Sequence, residues 1–129
     1  MERSGRWMVT GALLALLGVL GGARASSAAP PRGDVEHGRL LYQACTGCHS
    51  IDENDVGPKH RGVLGRRAGS VPDYRYSPAL KDSGIVWDPG SLDRWLANPQ
   101  GLVPGAKMYF SVPDPQSRAD LIAYLTQLN

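Results

Sequence analysis

The sequence is poor in several residue types, and each shortage excludes something. It has two cysteines, three methionines, three histidines and one phenylalanine, and its lysines are only Lys59, Lys81 and Lys107. Two cysteines allow one bridge at most. No stretch alternates apolar and polar residues, so no strand is expected. Surplus positive charge is missing too. Arg3, Arg6 and Arg24 against Glu2 account for the chain's whole net charge of +2. All four lie in the first 25 residues, so the rest is formally neutral, without the Lys/Arg stripe that nucleic acid or an anionic membrane requires. The long apolar run is confined to Met8–Ala23, interrupted by glycines and short of the ~20 residues that cross a bilayer. With Arg3 and Arg6 before it and Ala23-Arg24-Ala25 behind it, this run reads as a secretory signal peptide over residues 1–25. Residues 26–32 are a flexible lead-in, and one small domain spans 33–129. An uncleaved leader serving as a membrane anchor is the competing reading.

Four segments carry helix boundaries. Asp34 caps a helix expected to run to about Cys48. Ser77-Pro78 opens a short one that Gly84 ends. Asp88-Pro89 opens a third, which Pro99 stops at Asn98, and Asp114-Pro115 opens the last, with Leu121, Tyr124, Leu125 and Leu128 at helical spacing. Between them run long loops, Ser50–Tyr76 and Gln100–Pro113. The expected architecture is all-α, about four helices with loops long enough to wrap a large apolar cofactor.

Both cysteines and one histidine fall in "CTGCHS", residues 45–50. A thioredoxin-like redox pair needs strands that are not visible, and zinc needs a second Cys/His pair. A disulfide between residues three apart on a helix has diverging Cβ vectors. The remaining reading is covalent haem attachment: Cys45 and Cys48 form thioethers, and His49 turns its imidazole onto the iron. Met1 and Met8 lie in the leader, which leaves Met108, in the loop "VPGAKMYF", as the sole thioether for the sixth position. His60 is the rival ligand, although it follows His49 closely. His37 reads as a surface residue. A space-filling methionine is the plainer role for Met108.

The ordered stretches "GDVEHGRLLYQACTGCHS", "GPKHRGVLGRRAG", "YSPALKDSGIVW", "WLANPQGLVPGAKMYF" and "RADLIAYL" resemble the class I c-type cytochromes, specifically the mitochondrial and short soluble bacterial group. The resemblance implies the small cytochrome c fold around one covalent haem c, with His49 and Met108 as axial ligands. It implies a monomeric one-electron carrier, periplasmic here. The donor is a quinol-oxidising cytochrome complex and the acceptor a terminal oxidase, reductase or photosynthetic reaction centre. It further implies that the Pro58 carbonyl accepts the His49 Nδ1 proton, and that Arg66, Tyr76 and Trp87 hold the inner haem propionate. Gly38 and Tyr42 should meet Tyr124 where the first and last helices cross. The rival class is a haem enzyme or gas-binding protein with an open sixth site, for which no distal histidine is evident. A third is a subunit fixed in a membrane complex.

Departures from the family pattern carry information of their own. Leu80, Trp95 and Ala106 stand where the family commonly has asparagine, tyrosine and threonine, so the methionine side of the haem should be drier. Trp95, a donor without an acceptor, is then the side-chain partner for the Met108 sulfur. The segment "SIDENDV" is acidic where mitochondrial members are lysine-rich, and the lysine ring around the haem edge is thinned.

Overall fold

The computed structural model describes residues 29–129; the expected signal peptide lies outside them, as does the start of the lead-in. Five α-helices follow one another: α1 Val35–Leu41, α2 Pro78–Asp82, α3 Pro89–Ala97, α4 Pro99–Leu102 and α5 Pro115–Thr126. Among the described residues the nearest thing to a sheet is one isolated antiparallel bridge between Arg67 and Val86. No helix among them is long and apolar enough to cross a membrane.

Each helix starts where a side chain satisfies its orphan N–H groups. Asp34 accepts from the His37 N–H, Ser77 from Leu80, Asp88 from Ser91 and Asp114 from Ser117. The Ser91 hydroxyl accepts in turn from the Asp88 N–H, which closes a capping box, and donates its own proton to the Val86 carbonyl at 3.0 Å.

Two boundaries differ from expectation. The first helix does not run to Cys48: it ends at Leu41 and tightens into a 3-10 turn over Tyr42–Cys45. In a 3-10 turn residues three apart eclipse, and the shorter repeat swings the chain off the α1 axis just ahead of Cys48 and His49. Nor is Pro99 followed by loop. Having ended α3, it serves as the first residue of α4, whose Asn98 cap accepts from the Gly101 N–H.

α1 packs across α5, and a glycine makes this possible. A Cβ on Gly38 would run into the Asp120 carbonyl oxygen and backbone of α5. Beside it the Tyr42 and Tyr124 rings meet at 5.2 Å between centroids. The crossing also buries a charge. Asp120 is 1% exposed and accepts from the Asp34 N–H at 2.8 Å, from the Gln116 amide at 2.8 Å and from His37 Nδ1–H at 2.7 Å. His37 is therefore more than a surface residue: half-exposed, it ties α1 to the buried carboxylate. Arg118 of α5 reaches Asp93 of α3 at 2.7 Å and two loop carbonyls, Val112 and Pro113. Leu92, Trp95 and Leu96 of α3 pack on Leu121, Ile122 and Leu125 of α5, and these faces form one wall of the interior.

Candidate haem-binding site

The long loops close around a cavity of about 410 Å³. Cys45, Cys48, His49, Pro58, Arg66, Tyr76, Trp87, Trp95 and Met108, the residues singled out in the sequence, all line it. Four short stretches of chain and α3 deliver them, so the cavity is where the sequence's scattered motifs meet. Cys45 is half-buried and Cys48 exposed, both unbridged. Burial pushes the Cys45 thiol up, with a smaller push from Cys48.

His49 is held at its edge. Its Nδ1 lies 2.8 Å from the Pro58 carbonyl oxygen, which can only accept, so Nδ1 carries the proton and Nε2 keeps its lone pair. Burial holds its pKa below the usual histidine range, against the opposing pull of that hydrogen bond and of Asp55. A neutral imidazole with a free Nε2 is what a metal ligand needs. Gly57 must be a glycine for the same reason: a Cβ there would collide with the His49 ring.

Met108 sits across the sequence on the Val103–Pro113 loop. Gln100, from the unexpected α4, secures that loop by donating to the Ala106 carbonyl at 2.7 Å and the Met108 carbonyl at 2.9 Å. Ala106 is buried, and Lys107 reaches back to the Arg75 carbonyl at 2.6 Å.

The polar floor is sparse. Arg66 donates to the Arg61 and Lys59 carbonyls at 3.0 and 2.8 Å, which leaves further guanidinium N–H groups for a ligand. Burial lowers its pKa from the ordinary value. The Tyr76 hydroxyl accepts from the Val71 N–H at 3.3 Å and keeps its own proton to donate. Trp87 is fixed by backbone bonds on both sides, Gly65 N–H to its carbonyl at 2.7 Å and its N–H to Arg66 at 2.9 Å. The Trp87 and Trp95 indoles pack at 5.4 Å and are 7% exposed. Neither indole N–H finds a protein acceptor among the described residues, yet neither is sealed off, so both are left to whatever fills the cavity. Leu80, Leu92, Leu121 and Leu125 supply apolar walls. Two paired thiols, a neutral imidazole, a thioether, a cationic donor group and apolar walls fit an amphipathic iron macrocycle with carboxylate arms.

Sequence reasoning missed three supports. His60 lies on the same side as His49, stacked on it at 4.1 Å with 21° between the planes, a placement that its position two residues after Pro58 could have signalled. Tyr74 donates to the Val56 carbonyl at 2.6 Å. Asn54 bridges the acidic loop to the Pro72 carbonyl at 3.0 Å and accepts from the Lys59 N–H.

A helical shell around a C-x-x-C-H cavity defines a c-type haem protein. Comparison narrows the class. A family profile described as cytochrome c matches residues 35–129. Cytochrome c2 of Rhodopila globiformis is 48% identical over 103 residues, covering 78% of this chain and 97% of that protein. Cytochrome c of Sesamum indicum is 40% identical, over 77% of this chain and 93% of that protein. The solved structure of cytochrome cH from Methylobacterium extorquens superposes with a TM-score of 0.72 at 42% identity, covering 74% of this chain and 99% of that one. The chain belongs to the cytochrome c family. It is an electron carrier rather than an enzyme, and it holds haem c covalently through Cys45 and Cys48.

Proposed function

We propose that the protein is a soluble, periplasmic one-electron carrier whose haem iron is held by His49 and Met108. The observation that carries this reading is the fixed tautomer of His49, its Nδ1–H given to Pro58 at 2.8 Å, in a cavity that Met108 also lines. The haem supplies the chemistry, a ferric–ferrous couple. The chain supplies the rest. Pro58 orients His49 and raises its basicity. Arg66, Tyr76 and the Trp87 indole are the donors for a buried propionate, which could not stay ionised without them. Trp95, which lines the same cavity, is the donor for the Met108 sulfur. With two protein ligands on the iron no substrate enters, and the apolar walls exclude water and favour the less charged ferrous state.

Absorption spectra of the haem-loaded protein, oxidised and reduced, test the ligation. A low-spin ferric spectrum with the weak far-red methionine–iron band, unchanged by carbon monoxide on reduction, is expected. A high-spin ferric form would overturn it. The signal peptide over residues 1–25 delivers the protein to the periplasm, which N-terminal sequencing of the exported protein checks.

Partners are redox proteins: a quinol-oxidising cytochrome complex as donor and a terminal oxidase, reductase or reaction centre as acceptor. The electron leaves at the cavity mouth, where Val56, Tyr109 and Phe110 are 70%, 77% and 51% exposed. Among the described residues, Arg66 and Lys107 are the charged ones lining the cavity, too few for a strong steering field. Encounter therefore depends weakly on charge steering. The second-order electron-transfer rate should change less than about tenfold between low and physiological salt, against the steep fall of a steered pair. A steep fall would refute the weakly charged docking face.

A further inference from the structure

We propose that His60 is a positioning residue for His49, an imidazole stacked face to face on the axial ligand that fixes its plane and shifts the haem couple toward ferric. The proposal rests on His49 being that ligand. The two rings lie 4.1 Å apart and 21° from parallel. The stack is anchored from behind: the Tyr42 hydroxyl lies 2.9 Å from His60 Nδ1. Tyr42 is 3% exposed, and its hydroxyl has no other partner among the described residues, so the phenol donates to Nδ1 and His60 keeps its hydrogen on Nε2. Tyr42 is in turn wedged against Tyr124 of α5 at 5.2 Å. One short segment thus grips the ligand twice, Pro58 at the edge and His60 on the face.

An aliphatic side chain at position 60 would fill the same space, but it would neither bind Tyr42 nor set a direction for the ring. It would also lack a π-face. When the iron loses an electron, His49 carries part of the added positive charge. An aromatic face is the negative part of its quadrupole and attracts such charge, more so where water is excluded. Stacking therefore stabilises the ferric form, and its loss favours the ferrous.

The test uses the haem-loaded full chain with His60→Leu, His60→Gln and Tyr42→Phe, read by equilibrium reduction potential and by the ferric proton NMR shifts of the haem methyl groups. Those shifts report the plane of the axial imidazole. His60→Leu should move the ferrous-to-ferric ratio at fixed applied potential about threefold toward ferrous, about 28 mV at 59 mV per decade, and alter the methyl spread. His60→Gln should do the same, and Tyr42→Phe should move both in the same direction by less. Unchanged potential and methyl spread in both His60 variants would reduce the residue to packing and overturn the proposal. A wild-type protein without the methionine–iron band would instead overturn the His49/Met108 reading, so the two failures are distinct.

Discussion

Met108→Ala should convert a closed carrier into a haem protein that binds carbon monoxide. The side chain is the sole thioether among the described residues, and Gln100 holds the loop through the carbonyls of Ala106 and Met108, independently of the side chain. On the proposed ligation, truncation therefore empties the sixth position without unfolding its frame. The thioether favours ferrous iron, so the potential should fall by on the order of 100 mV, roughly fiftyfold in the ferrous-to-ferric equilibrium at 59 mV per decade. The ferric spectrum should turn high-spin at neutral pH, and the reduced form should take up carbon monoxide. Equal carbon monoxide binding by the unaltered protein would contradict the assignment.

Asp120→Ala should give the largest loss of stability of any single change away from the haem. The carboxylate is buried at the crossing of α1 and α5 and accepts three hydrogen bonds, from Asp34, Gln116 and His37. Removing it leaves the Asp34 N–H and its companions unpaired, at a cost on the order of 3 kcal/mol. The bond from the Asp34 N–H is the main reason the Asp120 pKa lies below the ordinary carboxylate range, with His37 and Gln116 adding to it against burial. A depressed folded-state pKa means stabilisation that is complete above the unfolded value near 4 and is lost as pH falls through the folded one. Denaturant melts at pH 7 and in acid should therefore show the penalty of the variant shrinking as pH drops. A penalty independent of pH would show that Asp120 acts through packing alone.

Much of this molecule was legible because its signals are local. Asp34, Ser77, Asp88 and Asp114 each announce a helix within three residues, and C-x-x-C-H states its chemistry in five. The 3-10 turn at Tyr42–Cys45 was not legible, since a continuing helical pattern and a tightened one carry the same apolar spacing. α4 was hidden by its own opening proline, which reads as a stop for α3 before it reads as a start. Its purpose shows only in space, where Gln100 reaches forward to Met108. His60 was weighed as a ligand because sequence shows a histidine and its distance from His49, but not that the two rings lie face to face. His37 looked like an ordinary surface residue because its partner, Asp120, is 83 positions away.

The pairing of α1 with α5 has a consequence for how the molecule is made. The seat for the first helix is the last one, and Gly38 admits only that close approach. Contacts so distant along the chain require a large loop to be closed, at a cost in chain entropy. A chain that still lacks α5 therefore lacks the seat for α1, which leaves Cys45 and Cys48 on a segment that nothing has yet closed over. Two ends of one chain, written far apart by the gene, make a single lock.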